Sequence, residues 1–426
     1  MEDEHGQKNA ASLRYDRESE QEENEDFAQQ PSEPWRNAIA FWLLGLCNNF
    51  GYVVMLSAAY DILKEQQNKK SDDPTSHKTF HCNPTSTGVV LIADVLPGLL
   101  IKLTAPFYMQ RINYHIRVGL CIALFAASLF TVAYSSSVAV SLFGVVLASI
   151  SSCVGEITFL AFSSYYTKTV ISFWSSGTGM AGLAGSLAYA GLTQIGLSSR
   201  DTLLLLLVVA VVWIIAFWVI LKLPNQYRVC CRDNVYNGDE NEPLMNEGGP
   251  SDRVSYLPMS SKLKLMIPLL KFMIPLFLVY LAEYTINQGL YELLYYDSWL
   301  SQAEQYRWYQ VDYQLAVFIS RSSIKLFPIK KIIIPVIIQW CILITLTIEA
   351  TNPFLRYIWF ALAIVFLEGL CGGSVYVNAF TLISESSTSE NKEFRMGAAS
   401  MAGSIGITLA GIIAIPIHNA ICNYRT

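Results

Sequence analysis

Residues 202–223 read TLLLLLVVAVVWIIAFWVILKL, and from Thr202 to Leu221 no side chain carries a charge. A helix of about 20 residues rises about 30 Å, the thickness of a bilayer's hydrocarbon core. Comparable apolar runs precede this one at 37–63, 88–109, 115–134, 138–162 and 170–197. After a polar stretch they resume at 265–292, 308–326, 332–350, 354–383 and 394–417, making eleven in all. The run at 308–326 is the most polar, with Gln310, Asp312, Gln314 and Arg321, so it must face a bundle interior, a cavity or the interface. Of the 426 residues, 53% are hydrophobic and only 15% charged, with a mean hydropathy of +0.36. Soluble chains are about a quarter charged. A soluble enzyme, a disordered protein and a basic nucleic-acid binder are thereby excluded, and an all-α polytopic membrane protein is expected.

Charge divides the chain further. Residues 1–34 hold 11 of the 34 acids against three bases, while the remainder carries 26 bases and 23 acids. The organisation expected is an acidic, disordered cytoplasmic tail (1–34), a six-helix bundle (35–223), a polar cytoplasmic loop (224–264), a five-helix bundle (265–418) and a short tail (419–426). With residues 1–36 cytoplasmic, 19 Lys and Arg fall on that side and eight on the other. The odd number of spans leaves the C-terminal tail on the far side. No basic n-region leads into a short apolar core, so no cleaved signal is read and the first span serves as its own insertion signal. The nine cysteines form no disulfide pattern. Cys82 stands alone in a far-side loop. Cys230 and Cys231 follow the sixth span, where palmitoylation and unmodified thiols are equally good readings.

The two bundles repeat one another. The fifth span contains Met180, Ala181, Gly182 and Gly185, and the eleventh contains Met401, Ala402, Gly403 and Gly406, both M-A-G-x-x-G. The fourth and tenth spans share a Gly–Glu pair, Gly155-Glu156 against Glu368-Gly369, with aliphatic and aromatic residues after it. The first has Asn49-Phe50-Gly51 where the seventh has Asn287-Gln288-Gly289. Each offset is six spans in one orientation. Parallel six-span repeats characterise major-facilitator-type carriers. Small-residue packing alone also favours Gly and Ala, but three span pairs at one offset favour a repeat, here 6+5.

An ionisable group in mid-membrane costs about 2.5–3.5 kcal/mol on insertion scales, so each one needs a reason. The longest series of polar residues lies on spans 1, 4, 7 and 10: Asn48 and Asn49, then Glu156, then Glu283, Asn287, Gln288 and Glu292, then Glu368 and Asn378. The repeat makes these four helices equivalent around one central cavity. In a regular helix Glu283, Asn287 and Gln288, at i, i+4 and i+5, share one face, and Glu292 continues it one turn later. Interhelical hydrogen bonding would explain some of them, at about 0.6 kcal/mol per pair. A solute cavity explains the density better. Glu283 and Glu156 are the proton-coupling candidates, because a low-dielectric interior favours a neutral carboxyl. Arg321 reads equally as a fork for phosphate or carboxylate and as an interfacial anchor. Asp94 and Lys102 stand two turns apart and reach different partners. The preferred reading of Lys102 is a side chain snorkelling to the cytoplasmic interface.

No G-x-S-x-G, H-E-x-x-H or P-loop is present. His77, His81 and Cys82 sit in a polar, proline-bearing loop and are read as chance neighbours, so neither a metal site nor a cofactor is expected.

The chain resembles the battenin family, lysosomal membrane proteins whose loss causes juvenile neuronal ceroid lipofuscinosis. The resemblance runs from 35 to about 409. It is carried by FWLLGLCNNF at 41–50, YVVMLSAA at 52–59, WSSGTG at 174–179, AEY at 282–284, INQGL at 286–290 and QYRWYQ at 305–310. The family looks like a distant relative of major-facilitator and equilibrative nucleoside permeases. The resemblance implies a late-endosomal and lysosomal exporter of glycerophosphodiesters, with effects on lysosomal pH, basic amino-acid balance and autophagy. It also implies adaptor partners, for which the acidic Leu-Met signal Glu240, Leu244 and Met245 suits the 224–264 loop. This chain departs from the family's C-terminal prenylation box, since Cys422 is one place out of register, and no far-side sequon is intact. A glycerophosphodiester is an anion, which only Arg321 and Lys102 among the membrane residues could answer. The residues alone also permit a cation substrate, or a trafficking scaffold acting through its cytoplasmic segments.

Overall fold

The computed structural model describes residues 34–67, 82, 86–104, 109, 112–163, 166, 168–223, 266–323, 328–387 and 392–425. The acidic tail, Cys230, Cys231 and the Glu240, Leu244, Met245 signal lie outside the described residues. Regular structure among the described residues is helical throughout. In the first half it comprises α1 (Pro34–Ser57), α2 (Ala59–Gln67), α3 (Gly88–Thr104), α4 (Tyr114–Ala133), α5 (Val138–Phe162), α6 (Lys168–Gln194), α7 (Ser199–Leu205) and α8 (Val208–Ile214). The second half comprises α9 (Leu270–Thr285), α10 (Gln302–Ser322), α11 (Ile333–Thr351), α12 (Ile358–Glu385) and α13 (Lys392–Arg425). These follow in order the runs read from the sequence, and eight of the described helical segments are long and apolar enough to cross a membrane unaided. Large apolar side chains such as Trp359, Phe360, Ile337 and Ile344 are exposed on the outside, as a lipid-facing surface requires.

Local chemistry fixes the helix ends. Ser301 and Glu304 form a reciprocal capping box at the start of α10, and the Asn113 side chain accepts from His115 N–H at the start of α4. The sixth span is not one regular helix: α7 and α8 are followed by a π-helical turn, Ile215–Ile220. Its last carbonyls have no helical partner. Arg36 donates to Ile220 O at 2.7 Å and to Val219 O at 2.8 Å, tying that end to the start of α1. The last helix runs on to Arg425 rather than ending at 417. Pro416 lies within it, and the extra turns are held by Arg425 donating to Leu293 O at 3.0 Å and Ala350 O at 3.1 Å.

Packing expresses the repeat. α1 lies against α6 as α9 lies against α13, and α3 against α5 as α10 against α12. The halves meet through α3 with α13 and α6 with α10. A six-span offset turns α3 into α10 and α6 into α13, so it exchanges these two contacts. The shared glycine motif permits close approach. A methyl added at Gly406 would stand 2.6 Å from Phe277 O, and one at Gly185 3.4 Å from Phe50 O.

The reading of the cysteines is overturned. Cys82 is not alone: it forms a disulfide with Cys422, at the end of α13. The two are separated by 340 residues and meet because α3, which begins just after Cys82, packs on α13. The pair joins the halves and places the C-terminus at the same end of the bundle as the segment preceding α3.

Candidate functional site

The seventh span breaks where its polar residues lie. After α9 the chain passes through a π-helical turn, Ile286–Leu290, and a 3₁₀ turn, Tyr291–Leu293. Carbonyls leaving the regular ladder need donors from elsewhere in a membrane interior. Gln310 donates to Asn287 O at 3.4 Å, Thr87 to Gln288 O at 2.7 Å and Gln302 to Glu292 O at 2.8 Å. Gly289 lets this turn lie against α13, where an added methyl would stand 3.0 Å from the Ala414 Cβ.

The break re-aims the side chains, so Glu283, Gln288 and Glu292 do not form the single stripe of a regular helix. Glu283 turns to α10 and α12: Tyr313 donates to one of its oxygens, and Gly372 leaves room for the other. Gln288 accepts from Tyr306 at 3.0 Å. Glu292 turns outward to the start of α3, accepting from Ser86 Oγ at 2.9 Å and Thr87 N–H at 3.0 Å, with His418 at 3.7 Å. A carboxylate on those orphan donors suits a helix N-terminus. Glu368, fully buried on α12, accepts from Tyr291 at 2.8 Å.

In the first half, Asn48 donates to Asn49 Oδ1 at 3.2 Å and to Ser152 O at 3.0 Å, fastening α1 to α5. Asn378 accepts from Ile329 N–H at 2.7 Å and donates to Ser374 O at 2.8 Å, which holds the segment after α10. Lys102 does not simply snorkel. Its ammonium meets Glu156 at 3.0 Å, because α3 lies along α5 and brings the pair face to face.

Arg321 is half-buried with its guanidinium 4.3 Å from the centre of the Tyr376 ring, and among the described residues it forms no ion pair. Its Nε is buried without a hydrogen-bond partner. Tyr280, Tyr313 and the Glu283 carboxyl also lie within electrostatic reach of it. Tyr376 in turn is within reach of Lys102 and Glu156, so the polar groups of both halves converge on that ring. Aromatic contacts run from Tyr284 through Tyr280 and Tyr376 to Phe380, and the Tyr52 and Tyr284 hydroxyls bond across the halves at 2.9 Å. Sequence reasoning passed over these tyrosines. Their signal was tyrosine recurring at helical spacing (Tyr280, Tyr284) beside the acids of span 7.

At the end of the bundle opposite the start of α1, the halves are tied together. Arg307 pairs with Asp61 at 2.7 Å, Asp61 also accepting from Tyr189 of its own half at 3.1 Å, and Gln194 donates to Glu304 at 3.0 Å. Tyr306 donates to Leu56 O at 2.9 Å. The Glu292 contacts and the disulfide lie at the same end.

Two pseudo-equivalent bundles around a polar centre, closed at one end by cross-half contacts, define a major-facilitator-like membrane transporter fold. Solved structures share it. A bacterial homolog of the human lysosomal transporter Spinster, inward-facing and occupied, superposes with a TM-score of 0.58 over 90% of this chain and 82% of that one, at 13% identity. The D-xylose–proton symporter gives 0.60 over 90% of each chain at 11% identity. Likeness at such identities speaks to the fold alone. The family model described as CLN3 protein matches residues 39–424. Battenin of Canis lupus familiaris is 42% identical, covering 94% of this chain and 96% of that protein. Protein BTN1 of Yarrowia lipolytica is 36% identical over 91% and 94%. The chain belongs to the CLN3 protein family.

Proposed function

We propose that this protein is a lysosomal and late-endosomal transporter that exports glycerophosphodiesters and responds to protons. The observation that carries the reading is Arg321, a half-buried guanidinium with no ion pair among the described residues, set in tyrosines where both halves converge. A planar fork of donors matches the two free oxygens of a phosphodiester. The tyrosines would take the glycerol hydroxyls, and their ring faces suit a cationic headgroup such as choline. Asn48, Asn49, Glu156, Glu283, Asn287, Gln288, Glu368 and Asn378 are the polar frame of the cavity in this reading. Glu283 is its proton-sensitive carboxyl, while Glu156 is held by the Lys102 ammonium at 3.0 Å. The Glu240, Leu244, Met245 signal would recruit the adaptors that deliver the protein to lysosomes. Effects on lysosomal pH and autophagy would follow from the transport.

The test is uptake of labelled glycerophosphocholine or glycerophosphoinositol by the purified protein in liposomes, with and without a proton gradient. Saturable flux is expected. Arg321→Ala should weaken half-saturation by about 10- to 100-fold, the equivalent of a lost charge-assisted hydrogen bond. Glu283→Gln should alter the pH dependence. Flux equal to that of empty liposomes, from protein that melts cooperatively, would refute the reading. Uptake of lysine or arginine instead would assign the cavity to cations held by Glu283 and Glu368.

A further inference from the structure

Asp94 has a different environment from the other membrane acids. It lies in α3, is 2% exposed, and both of its oxygens are buried without a hydrogen-bond partner among the described residues. Glu283, Glu292, Glu349 and Glu368 are as deeply buried, yet each accepts at least one hydrogen bond. Lys102, two turns further along the same helix, is engaged by Glu156.

Among the described residues, no element packed on this part of α3 supplies a cation. From α1 the titratable group within reach of Asp94 is Tyr52, from α5 Cys153, and from the seventh span Tyr284. α13 carries no titratable residue between 398 and 417. A charged, unpaired carboxylate in such a place costs several kcal/mol, and a neutral acid much less. The place itself is the seam between the halves. Leu91 and Val95, on the same helix, join Leu56 in a dry cluster with Ile407 of α13, and the cross-half hydroxyl pair of Tyr52 and Tyr284 packs on it.

We propose that Asp94 is a second proton-binding carboxyl of the transporter, holding its proton while the α3–α13 seam is closed and releasing it when the halves part and water reaches it. The inference rests on the transport reading above and adds a site to it. Glu283 tunes substrate binding in the cavity, and Asp94 couples the opening of the seam to the proton gradient. No bond other than the O–H is made or broken.

The full-length protein and its Asp94→Asn variant would be compared in liposomes with labelled glycerophosphocholine. The variant mimics the neutral acid and should keep exchanging substrate across the membrane in counterflow. The ratio of its uptake with and without a proton gradient should fall to one, while the wild type keeps a ratio above one. A variant with the wild-type ratio overturns the proposal, as does wild-type flux indifferent to protons or an Asp94-dependent flux that follows sodium. An infrared measurement needs no flux. The carbonyl stretch of a protonated carboxyl, identified by its shift in deuterium oxide, should be present in the wild type at neutral pH and reduced by one group in Asp94→Asn. Equal bands in both proteins would overturn the proposal even if transport itself failed, and a missing band without any flux would uphold the site while removing the transport reading.

Discussion

Lys102 and Glu156 meet at 3.0 Å with 16% and 30% of their side chains still exposed. Partial exposure softens the desolvation that makes a fully buried pair expensive, but it also screens the attraction. The consequence shows when one partner is lost. Glu156→Leu leaves an ammonium facing the bundle centre without its counter-charge, for a cost of about 1–3 kcal/mol. The double variant Lys102→Met with Glu156→Leu removes that charge and replaces the pair by side chains of similar bulk. Thermal melting of the purified protein should therefore fall for the single variant and largely recover for the double one. If the single variant melts with the wild type, the pair is an exposed contact of no energetic weight. A snorkelling lysine and a paired lysine bury the same methylene stem. Nothing in Lys102's own helix separates the two readings, because the deciding group, Glu156, belongs to α5.

At the scale of elements, small residues divide into those that permit contact and those that do not. A methyl at Gly406 would stand 2.6 Å from Phe277 O, whereas one at Gly191 would meet nothing within 4 Å. Both glycines lie in helices, α13 and α6. Gly191→Ala should leave the protein unchanged or stabilise it by about 0.5–1 kcal/mol through helix propensity. Gly406→Ala forces α9 and α13 apart and should cost about 1–3 kcal/mol, read as a lower melting temperature. Equal melting of the two variants would mean that the motif has no packing role. The helices and the repeat were legible because apolar runs and close-packing glycines are local signals that survive without knowledge of neighbours. The break in span 7 was not. Asn287, Gln288 and Gly289 suit a regular helix as well as a π turn, and what decides is the side chains of Thr87, Gln302 and Gln310, which take up the freed carbonyls from elsewhere in the fold. Hence the acids of that span were found from the sequence while their directions were not, and neither Tyr313 of α10, which answers Glu283, nor Tyr291 of the span itself, which answers Glu368 on α12, carried any sign of its pairing.

For the whole molecule the informative link is the one that spans it. Cys82 precedes α3 in the first half and Cys422 ends α13 in the second, so their bond closes a loop through the entire connection between the bundles. At a sequence separation of 340, no spacing rule could pair them, and only the packing of α3 on α13 brings them together. The same end of the bundle carries the Asp61–Arg307 pair and the Glu292 cap, so the disulfide fastens a face already held by polar contacts. This makes a covalent prediction that is independent of activity. With a protease site engineered between residues 224 and 264, cleavage should leave the halves joined in non-reducing denaturing electrophoresis and separate them after reduction. Cys422→Ser should separate them without a reductant. Closing so long a loop would be worth about 5 kcal/mol at most in a soluble chain. Within a bilayer the helices already confine the unfolded chain, so the stability lost on reduction should be well below that, a drop of several degrees in melting temperature. Two fragments from the wild-type protein without reduction would show that the cysteines are unpaired and that polar contacts alone close this end.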